Sequence, residues 1–485
     1  MQYLINFIFM LKLDFIFLVL LSFFISGTIG AQQLSLSKAI NDAMDYNLDI
    51  QQQQKRVMQA DAYNQSSVGW FLPKVSVMGG YTWFNQDMEI NMKMIKPALD
   101  DVAGIYGASI AQDLGLSTGT QDEIYNQIVG GLQKLPDDNI AFDFNQFPNA
   151  SISAVQPIFT GGKIISAKNS AGVTSNISRL QMTTTRNLVS KKIVDEYFLV
   201  VLLEGTVKAH EMAVKDLQMH QKNIHRMVEK GVLPKYNLLR AEVALATAER
   251  NLDDEKTRLD ISRTSLNISI GYPKDTLVVL SDTMHFKLQN ISVSRMQEDA
   301  QRDLPVFQLI EQKKQLVEQN YNAQRANMFP QIYAFANYSF FNDYMPIVMA
   351  PFTAGVQLKY NIFNGMSDYK KLQASKYMTE ESDLSAENAK IKVNFLIEKS
   401  YKQVEASKRR YLKLDSTIKL AEENARISNK RFEQGIGNST DVIDANTLLE
   451  TARVEQLLSL YSYYVALNNL YFASGQSSKI VDILK

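Results

Sequence analysis

The sequence predicts a mostly helical protein that also contains two pairs of β-strands, one pair in each half of an internal repeat. Three observations predict this fold class. The chain repeats itself at a fixed offset of 204 residues, and two segments of roughly 70 residues have helical periodicity without proline. Ahead of these segments, shorter stretches alternate with a period of two, which is typical of strands.

The duplication holds without a gap from about residue 158 to 271. The offset carries Ile158, Phe159, Gly161, Ile193, Tyr197, Val200, Gly231, Ala241, Thr247, Ala248, Leu266 and Gly271 onto Ile362, Phe363, Gly365, Ile397, Tyr401, Val404, Gly435, Ala445, Thr451, Ala452, Leu470 and Gly475. Fixed-period similarity of this kind indicates a duplicated structural unit. We therefore divide the chain into a first repeat at 32–271, an equatorial connector at 272–302, a second repeat at 303–475 and a C-terminal tail at 476–485.

The charge balance and the missing cysteines exclude several functions. The chain of 485 residues has 51 basic and 51 acidic side chains, whereas a dedicated nucleic-acid-binding protein has a basic excess that neutralises phosphates. The absence of cysteine excludes disulfides, thiolate metal sites and an acylated N-terminal cysteine. The four histidines form no His-x-x-x-His pair, so we expect no zinc enzyme, no metal site and no cofactor.

Residues 1–31 are expected to form a secretory signal peptide. Lys12 supplies the positive charge, Phe15 to Ile25 form the apolar run, and small residues follow at 27, 28, 30 and 31. Asp14 stands close to the apolar run, so Met10 is an alternative start. A membrane anchor is the competing interpretation, but the run is shorter than the roughly 20 residues that a spanning helix requires. Later segments do not reach that length, so a membrane crossing by the mature chain would use strands.

The first repeat is expected to begin with a helix from Leu36 to about Val68, with Ser37 as its N-cap. Pro73 ends this pattern, because its ring clashes with the preceding helical turn and it lacks an N–H donor.

Four segments of about ten residues alternate in polarity, and we expect them to form two strand hairpins. The predicted strands are 74–84 with 151–158, and 331–341 with 352–363. Apolar residues on one face and aromatic residues near the ends are typical of outer-membrane barrel strands, which turn apolar side chains to lipid and polar ones to the lumen. An ordinary half-exposed hairpin alternates in the same way, so the pattern leaves both interpretations open.

The number of strands indicates oligomerisation if the strands span a membrane. Four strands cannot close a barrel, and open sheet edges are not tolerated in lipid. Several copies must then pool their strands. Three copies would supply twelve strands, enough for a lumen wider than that of an eight-stranded barrel.

The two hairpins differ in the length of their tips. When they are aligned on Pro73 and Pro330, the first hairpin has 53 additional residues in its loop at 85–150. This loop is rich in Asp, Gly, Asn and Ser and includes a helical stretch at 121–135. We predict a long external loop, where barrels tolerate insertions; a helical decoration without function is the alternative.

Each hairpin is followed by a long helix and a returning helix. The long helices are predicted at 163–230 and 366–434, each about 100 Å long at 1.5 Å per residue. Their apolar residues recur every seven positions, which favours packing along a narrow coiled-coil seam. These residues are Ile193, Val200, Val207 and Val214 in the first repeat and Ile397, Val404, Tyr411 and Ile418 in the second.

The returning helices are predicted at 234–270 and 440–474. Gly231 and Gly435 are expected to end the long helices in a left-handed conformation. Pro234 is expected in the first turn of its helix, and Ser439 or Thr440 as the N-cap of the other. Between the repeats, 276–280 is expected to form a short strand.

The order of signal, helix, strand hairpin, long helix, turn and helix, then the same again, resembles the TolC family of bacterial outer-membrane factors over essentially the whole mature chain. The residues that carry the resemblance are Arg431 to Gly435, Asp441 to Ala445, Phe71 to Pro73, Phe329 with Pro330, Phe159 to Gly162, and Phe363 to Gly365. Their spacing, together with the duplication, makes the resemblance specific.

The resemblance implies a homotrimer in the bacterial outer membrane, in which a twelve-stranded β-barrel continues as an α-helical barrel across the periplasm. It implies a passive duct rather than an enzyme. The duct would export drugs, toxins or proteins that it receives from an inner-membrane pump through a periplasmic adaptor. The helix tips would form the gated periplasmic end, and the turns that dock an adaptor would contain Gly231, Val232, Leu233, Asn237, Gly435, Ile436 and Gly437.

The resemblance also implies a ring of carboxylates at the periplasmic aperture, at the positions of Asp441 and Asp444. Their spacing of three places both on one helix face, and a threefold axis would bring six together and select for cations. Alternatively, the two carboxylates simply stabilise the helix, because negative charges in a first helical turn interact favourably with the positive end of the helix dipole. The chain departs from the family at Asn237, where an acidic residue often stands, with Arg240 following it. It departs again at Gly437, where some members have an arginine, so any ion-pair latch must differ.

Two other classes of function compete with the export channel. A periplasmic coiled-coil adaptor or tethering protein of an export complex also has long helical hairpins, but adaptors usually flank one hairpin with β-rich domains. A secreted hydrolase would need a nucleophile with a base or a pair of acids, and no such constellation stands out in the sequence.

Overall fold

The computed structural model describes residues 32–85, 88–113, 117–135, 138, 140–142, 146–341 and 350–483. The predicted signal peptide at 1–31 lies outside these ranges, as do parts of the long loop, the second hairpin tip at 342–349 and the last two residues of the tail. Within the described ranges, no helix has the length and hydropathy of a membrane span.

Helices make up most of the described chain. They are α1 (Leu36–Tyr46), α2 (Leu48–Ser66), α3 (Met92–Asp113), α4 (Thr118–Gln133), α5 (Lys163–Glu229), α6 (Lys235–Ile270), α7 (Val293–Asp303), α8 (Pro305–Ala326), α9 (Ser367–Glu433), α10 (Ser439–Ala473) and α11 (Lys479–Asp482). The two long helices, α5 and α9, have 67 residues each. They and the returning helices α6 and α10 lie within one residue of their predicted bounds.

Four of the eight strands in the described ranges occupy the positions at which the sequence alternates with a period of two. The eight strands are β1 (Gln32–Leu34), β2 (Lys74–Trp83), β3 (Met88–Ile90), β4 (Ile140–Phe142), β5 (Gln146–Phe159), β6 (Val278–Leu280), β7 (Gln331–Ser339) and β8 (Phe352–Lys359). β5 begins five residues before its predicted start, and β8 ends at Lys359 rather than at residue 363. The expected strand at 276–280 is limited to the three residues of β6.

The chain folds into two compact units, and each unit combines segments of both sequence repeats. The larger unit contains residues up to 65 together with 167–321 and 371–485, and the smaller contains 66–166 and 322–370. The duplicated sequence therefore does not correspond to two separate compact units.

The larger unit is built on the seven-residue spacing of the long helices. Ile193, Val200, Val207 and Val214 are all buried. In α9 the equivalent Ile397 and Val404 are buried, while Tyr411 and Ile418 are partly buried against neighbouring helices. The predicted coiled-coil seam is therefore present in both long helices.

A short parallel ribbon fastens the beginning of the described chain to the connector. β1 pairs with β6, so that Leu34 lies opposite Leu280. The backbone N–H of Leu36 donates to a carboxylate oxygen of Asp282 at 2.6 Å, and the hydroxyl of the buried Tyr197 donates to the carbonyl of Leu34 at 2.9 Å. Burial raises the pKa of Tyr197, which keeps this hydroxyl protonated as a donor.

The predicted continuous helix at 36–68 is wrong, because it breaks at Asn47. There ψ is 128°, and the Asn47 side-chain oxygen accepts from the N–H groups of Asp49 (2.9 Å) and Ile50 (3.2 Å). Its amide donates to the carbonyl of Ser269 at 2.7 Å. A side chain that bonds to the backbone ahead of it competes with helix continuation.

The predicted N-cap of this segment is also wrong. The hydroxyl of Ser35, rather than that of Ser37, accepts from the N–H of Lys38 at 3.2 Å. Ser35 has the extended backbone of an N-cap, with φ −85° and ψ 157°, and α1 begins at the residue after it.

The smaller unit contains an antiparallel sheet with the strand order β2-β5-β7-β8. Lys74 lies opposite Val155, Ile152 lies opposite Tyr338, and Ala334 lies opposite Val356. The long first loop adds a second, two-stranded ribbon of β3 and β4, with α3 and α4 between its strands. The helix predicted at 121–135 corresponds to α4.

Candidate functional site

The two helix tips of the larger unit have the same turn geometry. α5 ends before Gly231 and α9 before Gly435, where φ is 71° and 76°. In each tip the N–H of the glycine bonds to the carbonyl three residues back, and the next N–H bonds to the carbonyl five residues back. This is the Schellman arrangement, in which a left-handed residue satisfies the free carbonyls of the helix end. The glycine prediction is confirmed at both tips.

The starts of the returning helices differ from the prediction by one residue. Pro234 is the N-cap of α6, with ψ 148°, and not its first helical residue. In the second tip the N-cap is Asn438, whose side-chain oxygen accepts from the N–H of Thr440 at 3.1 Å. Ser439, which the sequence offered as a cap, is buried and faces the neighbouring hairpin instead.

The tips present apolar side chains to solvent directly after the glycines. Val232 is 67% exposed and Ile436 is 66% exposed. The residue that follows a Schellman glycine usually packs back on its own helix. Here both of these side chains leave apolar surface free at the end of the hairpins.

Gly437 occupies a position where a side chain does not fit. A Cβ atom built there would lie 2.8 Å from the backbone nitrogen of Phe432 and 3.0 Å from the carbonyl carbon of Arg431. The equivalent residue of the first tip is Leu233, which is partly buried. The second tip is thus the tighter turn, and its geometry gives a physical reason for glycine at this position.

Asp441 and Asp444 are both exposed on the first turns of α10. In the part of the chain that the structure describes, neither carboxylate forms an ion pair or accepts a side-chain hydrogen bond. Both groups are therefore accessible in a single copy. This accessibility fits an aperture ring, and it also fits a simple electrostatic attraction between the carboxylates and the positive N-terminal end of the α10 dipole.

The first tip differs from the second at the position of Asp441. Its equivalent, Asn237, is buried, and its side-chain amide donates to the carbonyl of Pro234 at 3.4 Å. Asn237 therefore stabilises its own turn and exposes no charge. At the positions of Asp441 and Asp444, therefore, only the second tip has carboxylates, since the first tip has Asn237 and Arg240 there.

A buried histidine joins the two hairpins, and no pattern in the sequence indicated this contact. The side chain of His220 is 4% exposed, and its Nε2 lies 3.0 Å from the hydroxyl oxygen of Ser439. The ring also meets the Phe432 ring edge-on, with centroids 4.8 Å apart. Ile224 and Val442 are buried beside them. These contacts connect residues more than 200 positions apart, so periodicity and spacing carry no signal for them.

Burial lowers the pKa of His220, because desolvation penalises the charged imidazolium. A hydrogen bond with the backbone of Ser439 opposes this shift. A neutral imidazole therefore lies between the hairpins at neutral pH. Among the described residues, no cluster of three or more His, Cys, Asp or Glu is arranged to hold a metal ion.

The sequence and the fold were compared with known proteins. Residues 298–476 match the family described as outer membrane efflux protein. A search of curated protein sequences finds no match. The fold is similar to that of the CmeC outer-membrane channel of Campylobacter jejuni, with a TM-score of 0.71 and 14% identity over 93% of this chain and 90% of CmeC.

Two further solved structures have the same fold. The outer-membrane protein VceC of Vibrio cholerae has a TM-score of 0.67 and 13% identity, with 91% of this chain and 96% of VceC covered. The MtrE outer-membrane channel of Neisseria gonorrhoeae, solved in an open state, has a TM-score of 0.65 and 14% identity, with 91% and 89% covered. The resemblance to the TolC family inferred from the motifs is confirmed, and at these identities the structural likeness establishes the fold.

Proposed function

We propose, from the match of residues 298–476 to the family described as outer membrane efflux protein, that the chain forms a homotrimeric export channel of the bacterial outer membrane. The sheet of the smaller unit lies in the membrane, and the helical hairpins extend into the periplasm. There they dock onto a periplasmic adaptor and an inner-membrane pump, which supplies the energy. The channel itself is a passive duct for small molecules such as drugs and toxins, or for proteins.

The observation that carries this proposal is a sheet with two open edges. β2 and β8 each pair on one side only within the described chain. The register places Val75, Val77, Tyr81, Val356 and Leu358 on one face of the sheet, and all five are exposed. An apolar face favours contact with lipid, where unpaired edges are not tolerated. Further copies must therefore complete the sheet.

The internal duplication predicts how the edges meet. The offset of 204 carries β5 onto β8, and the offset of 257 between Pro73 and Pro330 carries β7 onto β2. In one copy β5 pairs with β7, with Ala154 opposite Ala336 and Ile152 opposite Tyr338. Transferred by the two offsets, this register places Leu358 of one copy opposite Gly79 of the next, and Val356 opposite Tyr81. Each transferred pair keeps both residues on the lipid-facing side.

Each long helix follows a strand through a short glycine-containing junction. Within the described part of one copy, the first junction is packed against another segment, and the second is left uncovered. A Cβ at Gly161 would lie 2.6 Å from the carbonyl oxygen of Ala326 and 2.8 Å from the Cβ of Phe329. A Cβ at the equivalent Gly365 would meet nothing within 4 Å, and the neighbouring Ile362 and Phe363 are 87% and 77% exposed. We infer that residues 69–72 of the next copy, which are equivalent to 326–329, cover this second junction.

Cysteine crosslinking tests the trimer, because the chain contains no cysteine. The pair Tyr81→Cys with Val356→Cys should form disulfides between copies, since directly opposed residues of an antiparallel pair lie within disulfide reach. The matched control pairs Tyr81→Cys with Gln357→Cys, which faces the other side of β8. A disulfide-linked ladder up to three chains, seen only for the first pair, is the expected result. A soluble periplasmic monomer with neither pair linked would contradict the proposal and favour the adaptor.

At the tips we propose that Asp441 and Asp444 of the three copies form the periplasmic aperture ring. Their exposure and lack of ion-pair partners among the described residues support this role. The exposed Val232 and Ile436, with the turns around them, are the proposed contact for the adaptor. Apolar side chains at the end of a rigid hairpin suit a surface that must be buried on docking.

A further inference from the structure

The smaller unit contains an open cleft of about 370 Å³ where its sheet meets the helices. Its walls are mostly apolar and come from three segments of the chain. They include Phe71, Ile158, Phe159, Ile165 and Phe329, all of them exposed, and the one charged residue that lines the cleft is Arg325. Exposed apolar surface of this kind marks a place where another molecule is bound.

Specific contacts hold the walls of the cleft in place. The side-chain amide of Gln156 donates to the carbonyl of Phe71 at 2.7 Å and fixes the entry to β2. Gly161 has φ 63° and lies so close to Ala326 and Phe329 that a Cβ there would collide with both. The glycine therefore permits the end of α8 to approach the end of β5, and the cleft forms between them.

Arg325 has a free guanidinium in the described part of the chain. It forms no ion pair or side-chain hydrogen bond there, although neighbouring Lys163 bonds to the side-chain oxygen of Asn327 at 3.2 Å. A planar guanidinium with unused donors suits a bidentate partner such as phosphate.

The charges of the sheet are distributed unevenly along its strands. Lys74 begins β2 and Lys359 ends β8, and the four strands contain no other charged residue. Both lysines, like Arg325 and Lys163, stand where the chain passes between the sheet and a helical segment. This end of the sheet is therefore basic, and basic residues beside a membrane attract anionic headgroups.

We propose that the cleft binds an anionic phospholipid of the inner leaflet, with an acyl chain against the apolar walls and the phosphate on Arg325. The inference rests on the proposed placement of the sheet in the outer membrane. A free phosphate ion would use the guanidinium but not the apolar walls, whereas a phospholipid uses both. Among the described residues of one copy, Gly365 at the second junction lacks an equivalent partner, so a single copy on its own forms this cleft only at the junction that contains Gly161.

Native mass spectrometry of the purified, delipidated protein tests the inference. The protein is mixed with equal amounts of phosphatidylglycerol and phosphatidylcholine of the same acyl chains, and the lipids bound per trimer are counted. We expect phosphatidylglycerol to be preferred by the wild type. The preference should fall by about fivefold in Arg325→Gln, since one basic residue near a membrane surface contributes attraction of that order. It should be retained in Arg325→Lys.

The matched control is Arg295→Gln, which removes an exposed arginine of the larger unit and should leave the preference unchanged. An Ile165→Gln variant should weaken binding of both lipids alike, because it alters the apolar wall.

Three outcomes would contradict the inference in different ways. If Arg325→Gln and the wild type prefer phosphatidylglycerol equally, the cleft assignment is wrong and the proposed channel is unaffected. Inorganic phosphate that abolishes phosphatidylglycerol binding at equimolar amounts would assign the site to the free ion. A wild type that retains neither lipid and stays in the aqueous fraction would overturn the membrane placement itself.

Discussion

The Nε2 atom of His220 lies 3.0 Å from the hydroxyl oxygen of Ser439, and this contact joins the tips of two helical hairpins. It also makes the tips sensitive to pH, because the imidazole is buried and its pKa is lowered from 6.5. The pKa of His220 is lower in the folded protein than in the unfolded chain. At pH values between these two pKa values, the unfolded chain binds a proton at His220 and the folded chain does not. The stability contributed by neutral His220 is fully present above pH 6.5 and is lost as the pH falls through the folded-state pKa.

We therefore expect the thermal midpoint of the protein to fall when the pH is lowered from about 7.5 to about 5. His220→Gln should reduce this fall, because glutamine does not titrate and can still donate to Ser439. The control is His225→Gln, which changes an exposed histidine 3.5 Å from Glu229 and should keep the wild-type dependence. If the thermal midpoint depends on pH in the same way in the wild type, His220→Gln and His225→Gln, protonation of His220 does not affect stability between about pH 7.5 and about pH 5.

The tight second turn predicts a local effect of Gly437→Ala. The added methyl group would lie 2.8 Å from the backbone nitrogen of Phe432, so the turn must shift at a cost of about 1–3 kcal/mol. We expect faster tryptic cleavage after Lys430 and Arg431, measured as a rate on the folded, full-length protein. Gly119→Ala is the control, since a Cβ there meets nothing within 4 Å. A cleavage rate equal to that of the wild type would mean that the turn accommodates the methyl group freely.

The proposed aperture ring predicts the ion selectivity of the proposed channel in planar bilayers. Replacing Asp441 and Asp444 together by asparagine should lower the cation-to-anion permeability ratio, on the order of fivefold, because the trimer loses six negative charges near the pore axis. The control replaces Asp253 and Asp260, two exposed carboxylates of α6, by asparagine. Reversal potentials across a salt gradient measure the ratio. If both double variants have the permeability ratio of the wild type, Asp441 and Asp444 do not line the pore. Their carboxylates then only interact with the positive end of the helix dipole.

The break between α1 and α2 predicts the stability effect of Asn47→Ala. The substitution removes the acceptor for two backbone N–H groups and the donor to Ser269. We expect a loss of about 2–3 kcal/mol from a missing cap and an unpaired buried carbonyl. The midpoint of urea unfolding measures it. Asn169→Ala, which removes an exposed 3.4 Å contact with Gln319, should change the midpoint little.

Periodicity accounts for what could be predicted from the sequence. The long helices and their glycine ends follow from local pattern, because a seven-residue repeat and a left-handed glycine are encoded within a few turns. Helix starts are less well encoded. Ser35 and Asn438 cap the helices where Ser37 and Ser439 also offered a hydroxyl, and the choice depends on which side chain the rest of the fold leaves free.

The features that the sequence did not reveal depend on distant partners. Asn47 interrupts a helical pattern because it can reach Ser269, 222 residues away. His220 is placed beside Ser439 by the packing of two hairpins. The aspartates of the second tip could be located on one face in advance, but the burial of their counterpart Asn237 required the structure.

The parallel pairing of β1 with β6 sets the order in which this chain can fold. A protein is delivered across a membrane from its beginning, yet Leu36 bonds to Asp282, 246 residues later, so the earliest strand stays unpaired while half of the polypeptide emerges. Closing so long a loop is slow, and it leaves a strand edge open to wrong partners. For the exported chain that we propose, periplasmic chaperones that shield extended segments are therefore expected to govern the yield of assembled protein more than the stability of the finished fold does.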